Sequence, residues 1–471
     1  MKAKTKPGLV FFDLDGTLLD GYSVLFFLAR RQLSSAPVLA ERLLQFSAIS
    51  RHAAAVTAFE PALAELALGL RAVPEGDMWQ LAEDVFARDL VGRLYPEARA
   101  LVREHQQRGE TVVILSSATQ FQVEPIAREL GIKHVLCTKL AVSAGKLTGM
   151  LDGAACYGEQ KMRVAQEFAN QQGCELSNCT FYSDGIEDLP LLRAVGHPRP
   201  TNPDKKLEQI AYNEDWPVQH FAPRGLPGAG QLLRTALVYG SLIPSFLLAA
   251  PKALFGGSRR SITNSGFSLW GDFGSHIAGL ELEVSGEKNL RSHRPAVFVF
   301  NHQSAVDALI ISRLLRKDFT GLAKSEMKAN PLLGPVLSFA DVVFIDRNKP
   351  GADAIQPAIE KLKQGISITV APEGRRSNGR RLGAFRRGAF NIAMQAGVPV
   401  IPIVIENASD ALPRSSLVIR PARIRIHVLK PISTRTWKPA TLDQQVNRCR
   451  ESFLQVLGQA NADGLVKKAV P

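Results

Sequence analysis

The sequence predicts two α/β domains in tandem with an apolar segment between them. Three observations carry that expectation. At 471 residues the chain exceeds what one hydrophobic core usually organises. Each half alternates short apolar runs of strand length with longer stretches whose apolar residues recur at helical spacing. The charge divides as well. Residues 1–222 hold 23 Lys+Arg against 27 Asp+Glu, whereas residues 223–471 hold 34 against 17, so the whole net charge of +13 comes from the second half.

In the first half, the runs 8–12, 111–115, 133–137 and 180–182 read as strands, and 124–130 and 161–171 as helices. Between the first two runs lies a long stretch rich in Ala, Leu and Arg, read as a helical insertion followed by the helix that enters the next strand. Residues 222–230 are crowded with Pro and Gly and cannot continue a regular element. Residues 236–255 are almost wholly apolar, broken by Pro244 and Pro251 and flanked by Arg234, Arg259 and Arg260. Their length approaches the ~20 residues that cross a bilayer. The two prolines and Lys252 allow equally a half-inserted segment held at the interface by its basic flanks. From about Ser268 the alternation resumes, with strands at 296–300, 342–345, 366–370, 398–404 and 424–428 and an amphipathic helix near 442–457.

Composition excludes several classes. The five cysteines are too scattered for a disulfide framework or a paired zinc site, and read as thiols of a reducing compartment. The basic start runs into Asp13 and Asp15 too soon for a signal peptide. The basic second half calls for an anionic partner: nucleic acid, an anionic membrane surface or phosphorylated substrates.

The first chemical constellation is Val10-Phe-Phe-Asp13-Leu-Asp15-Gly16-Thr17, two carboxylates at the end of an apolar strand, where open α/β sheets bind ligands. Charge against a buried strand is costly unless a metal compensates it. Ser116 at another strand end, Lys161, and Tyr182-Ser-Asp184-Gly-Ile-Glu-Asp188 complete what phosphoryl transfer requires. Residues 8–205 resemble the haloacid dehalogenase superfamily, in its phosphoserine-phosphatase-like branch. The resemblance implies a Rossmann-like core and a helical cap at about 22–93. It makes Asp13 the nucleophile, Asp15 the general acid/base, and Ser116 and Lys161 the holders of phosphoryl oxygens. Asp13, Asp15 through its carbonyl, and Asp184 would bind Mg2+, with Asp188 behind them. Phosphoserine phosphatases carry an acidic residue near the position of Tyr22 to read an ammonium group; an aromatic there points to an apolar or lipid-linked ester.

The second constellation is Asn301-His302-Gln-Ser-Ala-Val-Asp307, after the 296–300 strand. If the chain turns into a helix there, Asp307 reaches back to one imidazole nitrogen and leaves the other as a general base. Val342-Val-Phe-Ile-Asp346-Arg347, Ala371-Pro-Glu373-Gly374-Arg375-Arg376-Ser377 and Val398-Pro-Val-Ile-Pro402 follow. Six arginines (375, 376, 380, 381, 386 and 387) stand close together, which suits phosphate. With Phe385 the only aromatic among them and no recognisable motif, no nucleic acid is expected. Roughly residues 270–430 resemble the glycerolipid acyltransferases, whose best-known members act on 1-acylglycerol 3-phosphate. The resemblance implies that His302 is the general base and Asp307 orients it, with an acyl thioester on coenzyme A or acyl carrier protein as donor. Lys324, Arg347, Glu373, Gly374 and Arg375 would line the acceptor's phosphate site and Pro402 would shape it. Ala371 and Arg375 depart from the family's usual aromatic and threonine, which bears on acceptor identity. The family's membrane-embedded helical pair corresponds to residues 236–255.

The expectation is therefore a phosphatase domain (1–222), a linker and membrane-associated segment (223–267), an acyltransferase domain (268–440) and a C-terminal helix and tail (441–471). The expected activity is acylation of a lysophospholipid, lysophosphatidic acid first, together with Mg2+-dependent phosphomonoester hydrolysis. An acyltransferase with a regulatory phosphatase-like half, and a phosphatase using the second half as a membrane anchor, are the alternatives. The expected place is the cytoplasmic face of a bacterial inner membrane.

Overall fold

The computed structural model describes residues 8–30, 56–225, 227–331, 333–345, 355–377, 379–414 and 416–459. Part of the cap (31–55), Asp346 and Arg347, and the tail from residue 460 lie outside the described residues. The chain divides into two units, Met1–Leu226 and Pro227–Pro471.

In the first unit a parallel sheet is built from β1 (Leu9–Phe12), β2 (Thr111–Thr119), β3 (His134–Thr138), β6 (Cys179–Ser183) and β7 (His197–Pro200), in the order β3-β2-β1-β6-β7. β1 is central because all four of its residues are apolar and buried. Leu9 and Phe11 enter the core on one face, Val10 and Phe12 the core on the other. Such two-sided burial is what a continuous apolar run produces in a parallel sheet. The insertion is helical: Ser23–Arg30, Val56–Gly69 and Glu75–Val85 precede the helix Pro96–Gln107 that leads into β2. The strand readings at 8–12, 111–115, 133–137 and 180–182 each fall on one of these strands. An antiparallel hairpin not foreseen, β4 (Leu140–Ser143) and β5 (Lys146–Leu151), turns through Ala144 and Gly145, both at positive φ.

The second unit holds a seven-stranded sheet. Its strands are β8 (Leu280–Ser285), β9 (Val297–Phe300), β10 (Phe319–Lys324), β11 (Val343–Ile345), β12 (Ser367–Val370), β13 (Val400–Ile405) and β14 (Ala422–Val428). Their order is β11-β10-β12-β9-β13-β14-β8, and every pairing is parallel except β13 with β14. β9 lies in the middle, between β12 and β13, so three strand ends converge at its carboxyl terminus. The five strands expected here are present; β8 and β10 are additional.

The apolar stretch before this sheet forms helices Ala229–Gly240 and Leu242–Ala249 and a tight 3-10 segment, Ala250–Phe255. No single helix among the described residues is long and apolar enough to cross a membrane; the pair Ala229–Gly240 and Leu242–Phe255, bent by 41°, reaches the length together. Val238, Leu242 and Phe246 sit in the domain core, while Leu233, Leu247, Leu248, Leu254 and Phe255 are exposed. The next helix, Arg259–Ala278, runs unbroken across the boundary expected at 267/268. Its small residues allow close approach: a Cβ on Gly271 would stand 2.5 Å from the Arg313 nitrogen of the helix Asp307–Leu315.

Candidate active sites

At the end of β1, the Asp13 N–H donates to the Tyr182 carbonyl at 2.9 Å, extending the pairing of β1 with β6 by one residue. The chain then turns at Gly16, whose φ is +78°. A Cβ there would fall 1.9 Å from Asp184 Oδ2, so only glycine lets the carboxylate from the end of β6 lie against the first loop. Lys161, buried on the helix Gly158–Gln171, donates to Asp13 Oδ1 at 2.9 Å and Asp188 Oδ2 at 2.7 Å. Ser183 also donates to Asp188. Burial opposes the lysine's charge, but Asp13 and Asp188 outweigh it and hold the ammonium protonated well beyond its ordinary range.

Asp15 is clasped differently. Its two oxygens accept the backbone N–H of Ser23 at 2.9 Å and the Ser23 hydroxyl at 3.0 Å. Ser23 opens the first cap helix and in turn accepts from Gln122, whose Oε1 receives the N–H and hydroxyl of Thr119. Burial raises Asp15 to about 7, against the pull of the Ser23 bonds. Burial likewise raises Asp13, against Lys161, and lifts Asp184 well above the carboxylate range with help from Asp13. Glu187 reaches about 7 through burial and the neighbouring Asp188.

Asp13, Asp15, Asp184, Glu187 and Asp204 all face one cavity, and among the described residues no lysine or arginine lines it. The sequence-predicted Asp13, Asp15, Lys161, Asp184 and Asp188 are thus brought together. Ser116 lies fully buried within β2, just before its register shifts, its Oγ accepting the Ala118 N–H at 3.2 Å, and the cavity wall there is made by Ser117, Ala118 and Thr119. Sequence reasoning missed Ser23, Gln122, Glu187 and Asp204.

In the second unit, Asn301 continues β9 with its side chain. It donates to the Ile405 carbonyl at 2.7 Å and accepts the Ile405 N–H at 2.8 Å. Gln303 and Ser304 donate to the carbonyls of Glu406 and Leu412. The turn carrying His302 is therefore fixed on both sides. Asp307, fully buried as the first residue of its helix, accepts at Oδ2 from the N–H groups of Gln303 and Ser304, each at 2.9 Å, and lies 2.7 Å from His302 Nδ1. A carboxylate can only accept, so Nδ1 carries a proton, and in the neutral imidazole the lone pair is on Nε2. The His302 side chain is 30% exposed.

Because β12 runs parallel beside β9, its end delivers Glu373 to the same place. Glu373 accepts the His302 N–H at 2.8 Å and the Gly383 N–H at 2.9 Å, and the His302 carbonyl accepts the Ser377 N–H at 2.8 Å. Burial raises Glu373, while those two N–H groups pull the other way. Expected to line a phosphate site, Glu373 instead turns both oxygens to backbone and braces the histidine loop. Gly374, at φ +75°, lies under the Arg386 guanidinium, whose Nε would be 2.9 Å from a Cβ. Arg375, Arg381 and Arg386 are exposed, whereas Arg380 pairs with Asp410 and Arg387 with Asp443. Lys324 closes β10, with its side chain outside the described part, and Arg347 lies outside the described residues. Pro402 sits inside β13 opposite Val299.

These sites define a chain with a hydrolase unit and a transferase unit. Residues 10–193 match the model of the haloacid dehalogenase-like hydrolases, and residues 281–406 the acyltransferase model. A probable phosphatase of Mycobacterium tuberculosis is 34% identical over 247 residues, 48% of this chain and 83% of that protein. The 1-acyl-sn-glycerol-3-phosphate acyltransferase alpha of Ovis aries is 33% identical over 193 residues, 40% of this chain and 67% of that protein. A Bordetella pertussis protein of unknown function is a structural neighbour at 31% identity and a TM-score of 0.41, covering 46% of this chain and 99% of its own. The chain belongs to the haloacid dehalogenase-like hydrolases through its first unit and to the acyltransferases through its second. It is an enzyme that joins a haloacid dehalogenase-type phosphatase to an acyltransferase of the 1-acylglycerol-3-phosphate acyltransferase type.

Proposed function

We propose that this enzyme works on glycerolipids at both sites, transferring an acyl chain to a lysophospholipid at His302 and hydrolysing a phosphomonoester at Asp13. The observation that carries the reading is the His302–Asp307 pair, 2.7 Å apart on a turn fixed to the neighbouring strand. Nε2 takes the proton of the acceptor hydroxyl, whose oxygen attacks the carbonyl of an acyl thioester on coenzyme A or acyl carrier protein. The C–S bond breaks and the thiol leaves with the proton. Lysophosphatidic acid is the first candidate acceptor, its phosphate meeting Lys324, Arg347, Arg375 and the backbone at Gly374.

At the other site Asp13 attacks phosphorus and the P–O bond to the leaving alkoxide breaks. Asp15, holding a proton near neutrality because of its enclosure, gives it to that oxygen. The same carboxylate then takes a proton from the water that hydrolyses the aspartyl-phosphate. Lys161 holds Asp13 in line, and Asp188 steadies Lys161. Among the described residues no three His, Cys, Asp or Glu side chains form a metal cage. Mg2+ needs none, since it takes one or two carboxylates together with waters and phosphate oxygens. The residues fit it: the carboxylates share a cavity that no cation among the described residues lines, and Gly16 lets Asp184 lie against the first loop. Asp13, Asp184 and the Asp15 carbonyl would hold the ion, which when bound would neutralise phosphoryl oxygens.

The exposed apolar residues of the bent pair, with Arg234, Arg259 and Arg260 nearby in sequence, support an interfacial rather than aqueous setting. We place that interface at the cytoplasmic face of a bacterial inner membrane. The test supplies purified enzyme with lysophosphatidate, acyl-coenzyme A and Mg2+ and follows lipids and free phosphate together. Asp13→Asn is expected to lower phosphate release by at least ~10³-fold and leave acyl transfer within about twofold; His302→Ala is expected to do the reverse. Loss of both activities in each variant would defeat the assignment of two independent sites.

A further inference from the structure

The phosphatase cavity does not end at its carboxylates. Away from them its walls are Tyr22, Val24, Phe59, Leu63 and Leu66, with Phe59 stacked on Tyr157 at a 4.0 Å ring separation. Val24, Leu66, Thr119 and Gln122 also border a second, smaller space. Beyond those shared residues its walls include Phe27, Leu28, Leu70, Met78 and Leu81, and among the described residues no charged side chain lines it. Phosphorus chemistry and an apolar chamber thus share a wall.

We propose that this second space is a subsite for the hydrocarbon chain of the phosphomonoester, so that the phosphatase selects long-chain phosphate esters over small water-soluble ones. The inference rests on the Asp13 site being a phosphomonoesterase and names its substrate class. Three features support it. Among the described residues the only polar side chains lining the chamber are Thr119 and Gln122, which bond to one another, with Gln122 also bonding to Ser23. Among the described residues no lysine or arginine lines either space, which disfavours a second phosphate or a carboxylate on the leaving group. The apolar walls gain only when a chain displaces water from them.

The test measures phosphate release by the full-length enzyme with Mg2+ along a series from ethyl to dodecyl phosphate, held below micelle formation, beside p-nitrophenyl phosphate. In the wild type kcat/KM should climb by about fourfold per methylene and level off once the chamber is full. Leu81→Trp and, separately, Leu28→Trp should move the plateau to shorter chains and lower dodecyl phosphate turnover at least ~10-fold, with p-nitrophenyl phosphate within about twofold. A wild-type series flat in chain length overturns the subsite, as does a plateau unmoved by both variants. If both variants lose p-nitrophenyl phosphate turnover through misfolding, the wild-type series decides alone. A wild type inert toward every ester defeats the phosphatase reading itself, an outcome distinct from a flat series.

Discussion

Asp307 does several things with one oxygen. Oδ2 receives the imidazole and two backbone N–H groups, while Oδ1 is buried with no hydrogen-bond partner among the described residues. Asp307→Asn keeps the shape and removes the charge that selects the tautomer, so acyl transfer should fall ~10³–10⁴-fold with phosphate release untouched. Steady-state rates of both reactions on one preparation check it. Gly374→Ala meets both a positive φ and the Arg386 guanidinium. It should destabilise the second unit by about 1–3 kcal/mol in denaturant titration. The residues that gather at each site were legible in the sequence because their types are chemically dear at strand ends: paired aspartates, a histidine with a carboxylate five residues on. Ser23 and Gln122 were not legible. A serine and a glutamine 99 positions apart carry no signal until folding joins them to Asp15.

At the scale of elements, parallel neighbours decide what meets what. β9 and β12 end side by side, and so His302 and Glu373 touch although 71 positions separate them. In the first unit the helix Gly158–Gln171 sends one cation between two carboxylates. Lys161→Met would leave both buried and unpaired, which should cost about 3–5 kcal/mol in the metal-free protein. Calorimetry should show the first unit's transition falling and that of the second unchanged. Strands buried on both faces were legible as unbroken apolar runs. β8, Leu-Glu-Leu-Glu-Val-Ser, alternates because it is an edge, with its glutamates outward. β10 carries Thr and Gly in its middle, and the β4–β5 hairpin is short and half polar, so both fell below recognition.

For the whole molecule, the two halves should answer differently to solution conditions. Asp15 and Glu187 bind protons more tightly when folded, near 7, than in the unfolded chain, near about 4. The folded state thus holds extra protons between those values, and its advantage, complete below about 4, is lost as pH rises through about 7. Metal-free enzyme should therefore show its first-unit melting point falling by several degrees from about pH 5 to about pH 8. Mg2+ should raise it more at the higher pH. The second unit should bind vesicles containing anionic lipid, weakening as salt rises. Replacing Leu247, Leu248 and Phe255 by serine should reduce sedimentation with vesicles even at low salt, since those side chains are 66%, 66% and 88% exposed and hold no core position. The charge asymmetry was readable from composition. The broken helix was legible only as a hydrophobic stretch with two prolines, because its inward face is set by contacts with Phe267 and Gly266 further along.

The clasp on Asp15 has one more effect. Both donors that grip its carboxylate belong to Ser23, the opening residue of the first cap helix, so they travel wherever that helix goes. Any outward swing to admit an ester would strip the carboxylate of its grip and wet it, and the return stroke would dry and recapture it. Ser23 thereby ties the surroundings of Asp15 to the position of one helix, so a shift of that helix would alter the carboxylate while leaving its neighbours in the sheet intact.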